Sequence, residues 1–393
     1  MKKINIIQFL PYFPPHKGGL ETVAEEFSKY YVAGDYGNII NITFDIGQEI
    51  EKVSENDLIK YKGEVIGYNK DGYKVYLLPS FDIIPNFPFP KFWSKTFWRV
   101  LKEIKPLLTS PYQGRKVVVQ THTRFFLSSF LGGLFAKRNK LKWVHIEHGS
   151  DYVKLGSKLK SFISYMYDKT IGVWIFKKCD SIVAISNACK DFIQKKFVKR
   201  DVGVIYNGIN FKPGNKKENI NYIKIGFVGR LVTLKGVDLL IKSFLNLEKK
   251  YQNIKLEILG DGEEREFLEK LSNNHKNIEF LGFRDREFIA KEFLPSIDIL
   301  VNPSFMEGLP TTVLEGLLLK CVIVATDVGG TKEISNLDDL ILVKSLDILD
   351  LEKGIEKALL NYKKLSGISY NHIKNNFDWN ENIKKYFSLY NEV

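Results

Sequence analysis

Residues 298–334 read DILVNPSFMEGLPTTVLEGLLLKCVIVATDVGGTKEI. The apolar run at 297–301 is a strand that passes straight into a Pro303-Ser304 turn. A loop carrying Glu307 and Gly308 follows, and a helix begins near Pro310, where the missing proline N–H costs nothing because the first helical N–H groups have no partner anyway. A second apolar strand, 321–325, ends in Asp-Val-Gly-Gly. A strand, loop, helix and strand in this order suit a nucleotide-diphosphate site, because the loop lies at a carboxyl end and the helix N-terminus favours anions. Glu307 and Glu315, with seven residues between them, place one acid in the loop and one in the helix. An ordinary βαβ unit with two solvated acids would not require Pro303, Ser304, Gly308 and Pro310 around the first acid.

Length and charge frame that unit. At 393 residues the chain exceeds what one core usually organises, so two domains are expected. The net charge of +12 is uneven. Residues 1–212 hold 33 Lys and Arg against 19 Asp and Glu, and the remainder holds 25 against 27. The basic surface therefore belongs to one half, and an anionic membrane, an anionic acceptor or nucleic acid would account for it. Three cysteines, Cys179, Cys189 and Cys321, have no metal-like spacing, and a reducing interior is the simplest compartment. No run of about 18 apolar residues exists to cross a bilayer. The opening MKKINIIQFLPYFPP is read as a first strand rather than a signal peptide. The expected location is the cytoplasm, peripheral at the inner face of the membrane.

In the first half, the strand 4–9 is followed by prolines and then Gly18-Gly19 before a helix from about Leu20, an arrangement that can cradle phosphate or simply turn the chain. No P-loop pattern is present. Short β segments are expected at 39–44, 64–68 and 74–78. From Lys91 a helix with Trp93, Phe97, Val100 and Ile104 along one stripe is expected to pack on its sheet, and 83–92 reads as an apolar loop. Residues 83–98 are also the candidate lipid contact. Strands at 117–120 and 141–146 end in THTRFF and EHGS. In HIEH, His145 and Glu147 share a strand face and His148 sits at the strand end, where a side chain points to the ligand side of a doubly wound sheet. No third zinc ligand follows. A helical stretch at 154–178 and strands at 181–185 and 203–206 continue the alternation, which predicts a parallel sheet covered by helices.

FKPGNKKENINY, lacking periodicity, is the linker. A fresh cycle opens with YIKIGFVGRLVTLKGVDLLIKSF: strand 223–228, Gly229, then Arg230 and Lys235 before a helix from Gly236. Two cations at a carboxyl end can neutralise a leaving diphosphate, Arg as a fork of donors and Lys as a point charge. LEILGDGEE gives strand 256–259, and its acids read as a first helical turn rather than a metal pair. Strand 278–281 leads to Gly282-Phe283, 341–343 is a last strand, 355–362 is a helix, and the tail is an amphipathic helix.

With FVGRLVTLKGVDLLIKSF, LGDGEE, FLGF and the 298–334 unit in order, joined by PPHKGGLE and EHGS, the chain resembles the retaining glycosyltransferases of family 4. The resemblance implies the GT-B architecture, α/β with two Rossmann-like doubly wound domains facing a central cleft. The domains would be 1–212 for the acceptor, a linker at 213–222, 223–375 for the nucleotide sugar, and a helix at 376–393 returning to the first domain. It further implies that Arg230 and Lys235 hold the diphosphate and that Glu315 accepts from the ribose hydroxyls. Glu307, with the backbone of Gly308, Leu309, Pro310 and Thr311, would contact the sugar ring and its phosphate. Gly229 would close the strand beside them, Phe283 would lie by the base, Gly18 and Gly19 would approach the diphosphate, and His148 would line the sugar pocket. The implied reaction moves a sugar from a nucleotide-diphosphate sugar, bound as substrate with no cofactor and no metal, to a hydroxyl of a glycan or polyprenyl-linked acceptor in surface polysaccharide or glycoconjugate biosynthesis. Retention would follow from same-face transfer without a side-chain nucleophile. Met306 departs from the more polar or bulky neighbour the family often has. A sugar-nucleotide epimerase of similar shape is the competing reading, separable because it needs no acceptor. The basic residues are spread over a whole domain in no recognised reading module, which argues against nucleic acid.

Overall fold

The computed structural model describes all residues except 1, 2, 17, 46–52, 85, 86, 105–115, 154–157, 210–213 and 218–220. It divides into two compact units, one of Met1–Gly208 with Trp379–Val393 and one of Ile209–Asp378. The linker expected at 213–222 falls partly outside the described residues.

In the first unit the strands are β1 (Ile4–Phe9), β2 (Ile39–Asp45), β3 (Leu58–Tyr61), β4 (Glu64–Lys70), β5 (Tyr73–Ile84), β6 (Phe87–Pro90), β7 (Lys116–His122), β8 (Lys142–Glu147), β9 (Ser181–Ala184) and β10 (Gly203–Val204). The sheet order is β10-β9-β8-β7-β1-β2-β5-β4-β3, with β6 paired to β5. From β10 to β5 every pairing is parallel. Runs such as Ile4, Ile6, Ile7 and Phe9, buried on both faces, are what a covered parallel sheet needs. Strand order reverses between β1 and β7, so their carboxyl ends form this unit's switch point.

The sheet departs from the sequence expectation at its edge, where β3, β4 and β6 add antiparallel pairings. The stretch read as an apolar loop at 83–92 contains β6, whose Phe87 ring lies 5.3 Å from that of Phe125. The helix expected from Lys91 begins at Lys95. Phe97, Val100 and Ile104 are buried, but Trp93 precedes the helix and is 70% exposed. Of the stretch expected to be helical at 154–178, helices occupy Lys158–Tyr167 and Val173–Lys178, with a wider turn at Asp168–Gly172 between them.

The C-terminal helix Trp379–Glu392 lies against the helix Gly19–Ala33 of the same unit. Tyr386 meets Phe27 edge-on at 5.2 Å and Phe387 lies 4.9 Å from Tyr36. Burying large rings of this kind contributes roughly 2 kcal/mol each.

The second unit carries β11 (Ile223–Val228), β12 (Ile254–Leu259), β13 (Ile278–Gly282), β14 (Ile299–Asn302), β15 (Val322–Thr326) and β16 (Leu340–Val343). Their order is β13-β12-β11-β14-β15-β16, all parallel, the doubly wound arrangement with its reversal between β11 and β14. The helix Val237–Glu248 explains how one face is covered: Val237, Leu240, Ile241, Phe244 and Leu247 fall on one stripe and are buried. The helix read at 355–362 is longer, Ile348–Leu365. Glu263 and Glu264 precede the helix Arg265–Ser272 rather than forming its first turn, and Asp261 is paired with Arg265.

Candidate functional site

The loops at the switch point of the second unit leave the neighbouring strands β11 and β14. After β11, Gly229 continues the ladder to Leu259, and Arg230 turns out to solvent with no ion pair among the described residues. Leu231 is fully buried and anchors the chain before the tight turn Thr233–Lys235. Gly236 ends that turn at φ 63°. A Cβ there would lie 2.3 Å from the Pro303 carbonyl oxygen, so the turn after β11 can sit against the turn after β14 only with glycine. Phe305 N–H donates to the Leu234 carbonyl at 2.8 Å and fastens the two loops together.

On the β14 side, Asn302 accepts from both the hydroxyl (2.6 Å) and the N–H (3.3 Å) of Ser304, a side-chain turn that frees the chain from the strand. Glu307 follows, and its Oε1 accepts from Lys235 Nζ at 2.6 Å. Both side chains remain partly open to solvent, Lys235 at 26% and Glu307 at 13%. Gly308 accepts through its carbonyl from Gly330 N–H, which joins the DVGG turn to the same cluster. Leu309 and Pro310 are buried, and the helix Thr311–Leu318 starts directly after them. Of the four residues Gly308 to Thr311, only three have an N–H, since Pro310 has none.

Glu315 lies one turn into that helix, 7% exposed, and its Oε1 accepts from Arg286 Nη2 at 3.1 Å. Arg286 was not singled out in the sequence; the only signal was a cation shortly after β13, close to Phe283. Phe283 itself is 47% exposed. The structure thus joins Lys235 to Glu307, gives Glu315 an arginine partner, and leaves Arg230 open to solvent.

The first unit holds a second polar cluster at its own switch point. Gly19 begins the helix Gly19–Ala33, and among the described residues nothing lies within 4 Å of where its Cβ would be. A Cβ on Gly18 would lie 2.3 Å from Glu21 Oε2, and Glu21 is paired with His16. At the end of β8, Glu147 is fully buried and serves as the anchor of EHGS: its Oε1 accepts from Gly149 N–H at 2.8 Å and from Arg124 Nη1 at 3.1 Å, and its Oε2 from Arg124 N–H at 2.9 Å. Burial opposes the charged carboxylate, but Arg124 and His145 outweigh it and hold Glu147 down at about 2. Arg124 also bonds Asp168 through two nitrogens, each at 3.1 Å.

This scaffold presents His148, which is half-buried, with Nε2 3.0 Å from His122 Nδ1. Burial pushes the His148 imidazole down to about 4, helped by His145 and opposed by Glu147, so the ring is neutral at pH 7. Burial and the two neighbouring histidines likewise hold His122 far below its ordinary value. No group of three or more His, Cys, Asp or Glu able to hold a metal ion occurs among the described residues, and none of their helices is long and apolar enough to cross a membrane.

The chain is similar throughout its length to known proteins. Residues 17–212 match Glycosyltransferase Family 4 and residues 209–375 match Glycosyl transferases group 1. An uncharacterized glycosyltransferase of Methanocaldococcus jannaschii is 37% identical over 100% of both chains. Among solved structures, the sucrose-phosphate synthase of Thermosynechococcus elongatus aligns with a TM-score of 0.78 at 16% identity over 100% of this chain and 99% of that one. HepE of Anabaena, in complex with UDP and glucose, aligns at 0.71 and 15% identity over 100% of both. The fold is GT-B, two Rossmann-like units with parallel sheets. The chain belongs to the group 1 glycosyltransferases of family 4.

Proposed function

We propose that the chain transfers a sugar, with retention, from a nucleotide-diphosphate sugar to a hydroxyl of a glycan or polyprenyl-linked glycan acceptor in surface polysaccharide or glycoconjugate synthesis. The observation that carries this reading is the Lys235–Glu307 contact across the loops of β11 and β14, the position where doubly wound sheets bind ligands. The UDP and glucose bound by the HepE neighbour support a nucleotide-sugar donor.

In this reading Arg230 and Lys235 bind the diphosphate and neutralise the charge that grows on it as the glycosidic bond breaks. Glu307 holds the Lys235 ammonium in place before the donor arrives and then accepts from the sugar ring. Glu315 accepts from the ribose, oriented by Arg286. Gly229, Phe283 and the loop Gly308, Leu309, Pro310 and Thr311 complete donor binding. Gly18, Gly19 and His148, on the first unit, keep the roles that the family resemblance implies. The acceptor hydroxyl loses its proton to the departing phosphate on the same face, with no metal and no covalent sugar intermediate.

A cytoplasmic site of action at an anionic membrane surface fits the basic first half and the exposed Trp93, Trp98 and Phe92 beside Lys91 and Lys95. The test is incubation with a panel of labelled nucleotide sugars and detergent-extracted polyprenyl-linked glycans, with and without EDTA. The reading requires an EDTA-insensitive glycosylated lipid whose anomeric configuration matches the donor. A new sugar nucleotide formed without acceptor would instead mark an epimerase.

A further inference from the structure

A chain of hydrogen bonds runs from the backbone of the helix Gly19–Ala33 to His148, and it has a direction. It starts at the Ala24 carbonyl, which can only accept, and takes the hydroxyl proton of Ser28 at 2.9 Å. With its proton committed, Ser28 Oγ accepts from Asn41 Nδ2 at 3.1 Å. That orients the Asn41 amide so that Oδ1 receives Gln8 Nε2 at 2.6 Å. Gln8 is thereby turned with its carbonyl Oε1 towards β7, where it meets His122 Nε2 at 2.8 Å. Ser28, Asn41, Gln8, Gln120 and His122 are all buried, so none can substitute water for its partner.

Each neutral imidazole has one N–H and one bare nitrogen. Facing an oxygen that only accepts, His122 must carry its proton on Nε2, which leaves Nδ1 bare. His148 Nε2, 3.0 Å from that bare nitrogen, must then be the protonated one. Gln120 Nε2 also lies near His122 Nε2, at 2.9 Å. Its carbonyl is taken by the Tyr390 hydroxyl and one N–H of its NH2 group is directed at the same Gln8 Oε1 at 2.5 Å; were the other to point at a bare His122 Nε2, the Gln8 carbonyl oxygen would face that nitrogen's lone pair at 2.8 Å. Two N–H groups thus converge on one carbonyl oxygen, which has two lone pairs to give.

We infer that this relay, from Ala24 through Ser28, Asn41, Gln8 and His122, locks His148 as the Nε2–H tautomer and presents a bare Nδ1 to the substrate. His148 Nδ1 has no partner among the described residues, and the ring is half-buried rather than sealed. Resting on the proposed function, the group it would receive is a substrate hydroxyl, accepted as O–H···Nδ1. Gln8, Asn41, Ser28 and His122 are positioning residues: none need touch the substrate, yet they decide whether His148 offers an acceptor or a donor. A substrate that lacks a hydroxyl there would leave Nδ1 unpaired, so the relay also selects among substrates.

The test is nitrogen-15 spectroscopy of the full chain, labelled at its six histidines, without substrate at pH 7. A His148→Asn variant assigns the resonance. The expected result is an unprotonated Nδ1 and a protonated Nε2 on both His148 and His122. In Gln8→Met, which removes the acceptor at similar volume, the two His148 nitrogens should move towards averaged shifts as both tautomers become populated. A protonated Nδ1 on His148, averaged shifts in the unsubstituted protein, or an unaltered His148 spectrum in folded Gln8→Met would each overturn the inference. If Gln8→Met does not fold, the spectrum of the unsubstituted protein decides alone. Since no substrate is present, a protein that transfers no sugar could still show the relay, and a wrong tautomer would leave the proposed transfer standing.

Discussion

Lys235 Nζ donates to Glu307 Oε1 at 2.6 Å, across two loops that leave adjacent parallel strands and whose contact is permitted by a glycine at φ 63°. The pair is partly exposed, so its net contribution to stability is small, about 0–1 kcal/mol. An ion pair of little structural worth at the switch point of a doubly wound sheet fits the role proposed for it towards the diphosphate.

Lys235→Ala and Glu307→Ala should therefore leave thermal unfolding nearly unchanged while lowering turnover by roughly a hundredfold or more, the scale seen when a transition-state donor is removed. Because the two groups act through one contact, the double variant should lose less than the product of the single losses. Initial rates and melting curves on the three proteins check this. Turnover in either single variant equal to the parent would take that residue out of the mechanism.

Gly236 provides a structural counterpart. Gly236→Ala places a Cβ 2.3 Å from the Pro303 carbonyl and forces a left-handed conformation that costs about 1–2 kcal/mol by itself. Chemical denaturation should show a loss of roughly 2 kcal/mol or more, with donor affinity reduced because the Lys235 turn and the Glu307 loop are pushed apart.

The buried cluster behind EHGS predicts a larger penalty. Arg124→Met leaves Glu147 and Asp168 without their cation, both with fully buried side chains. Breaking a buried pair from one side costs about 3–5 kcal/mol. The triple replacement of Arg124, Glu147 and Asp168 by apolar residues of similar size should recover much of that loss in a denaturation experiment, while the loop carrying His148 loses its anchor.

His148 gives a pH signature. Its folded value of about 4 lies below the ordinary 6.5, so as pH falls the unfolded chain takes up the proton first. Stability is full above pH 6.5, declines between 6.5 and 4, and stops declining on this account below that. Between pH 7 and pH 5 the unsubstituted protein should lose about 1–2 kcal/mol more than His148→Asn in urea titrations, allowing for partial exposure of the ring. Equal losses in both would show that the ring is not depressed.

The second unit was legible because its chemistry is local. Strand, glycine and cation at 223–235, and strand, Pro-Ser turn and acid at 299–310, each form one continuous stretch, and periodicity alone places their loops at carboxyl ends. What the sequence could not give was every contact made across the sheet. Arg286 reaches Glu315 from 29 residues away, Gln8 reaches His122 from 114, and Arg124 reaches Asp168 from 44. A zinc reading of HIEH was set aside for want of a third ligand, whereas His145 in fact faces Thr121 and Glu147 within the sheet. Misread elements lay at edges: β3 and β6 are four residues each, too short for alternation to register, and Trp93 matched a helical stripe that the chain does not begin until Lys95.

The most direct test of the account is thermal unfolding in the presence of a panel of UDP-, GDP-, ADP- and TDP-linked sugars, on the unsubstituted protein and on Arg230→Ala. A ligand that binds only the folded state raises its stability by RT ln(1 + [L]/Kd), about 2.7 kcal/mol at a hundredfold excess over Kd. The account predicts a clear rise in melting temperature for at least one nucleotide sugar, largely abolished by Arg230→Ala. No rise with any of them, or an equal rise in the variant, would contradict it.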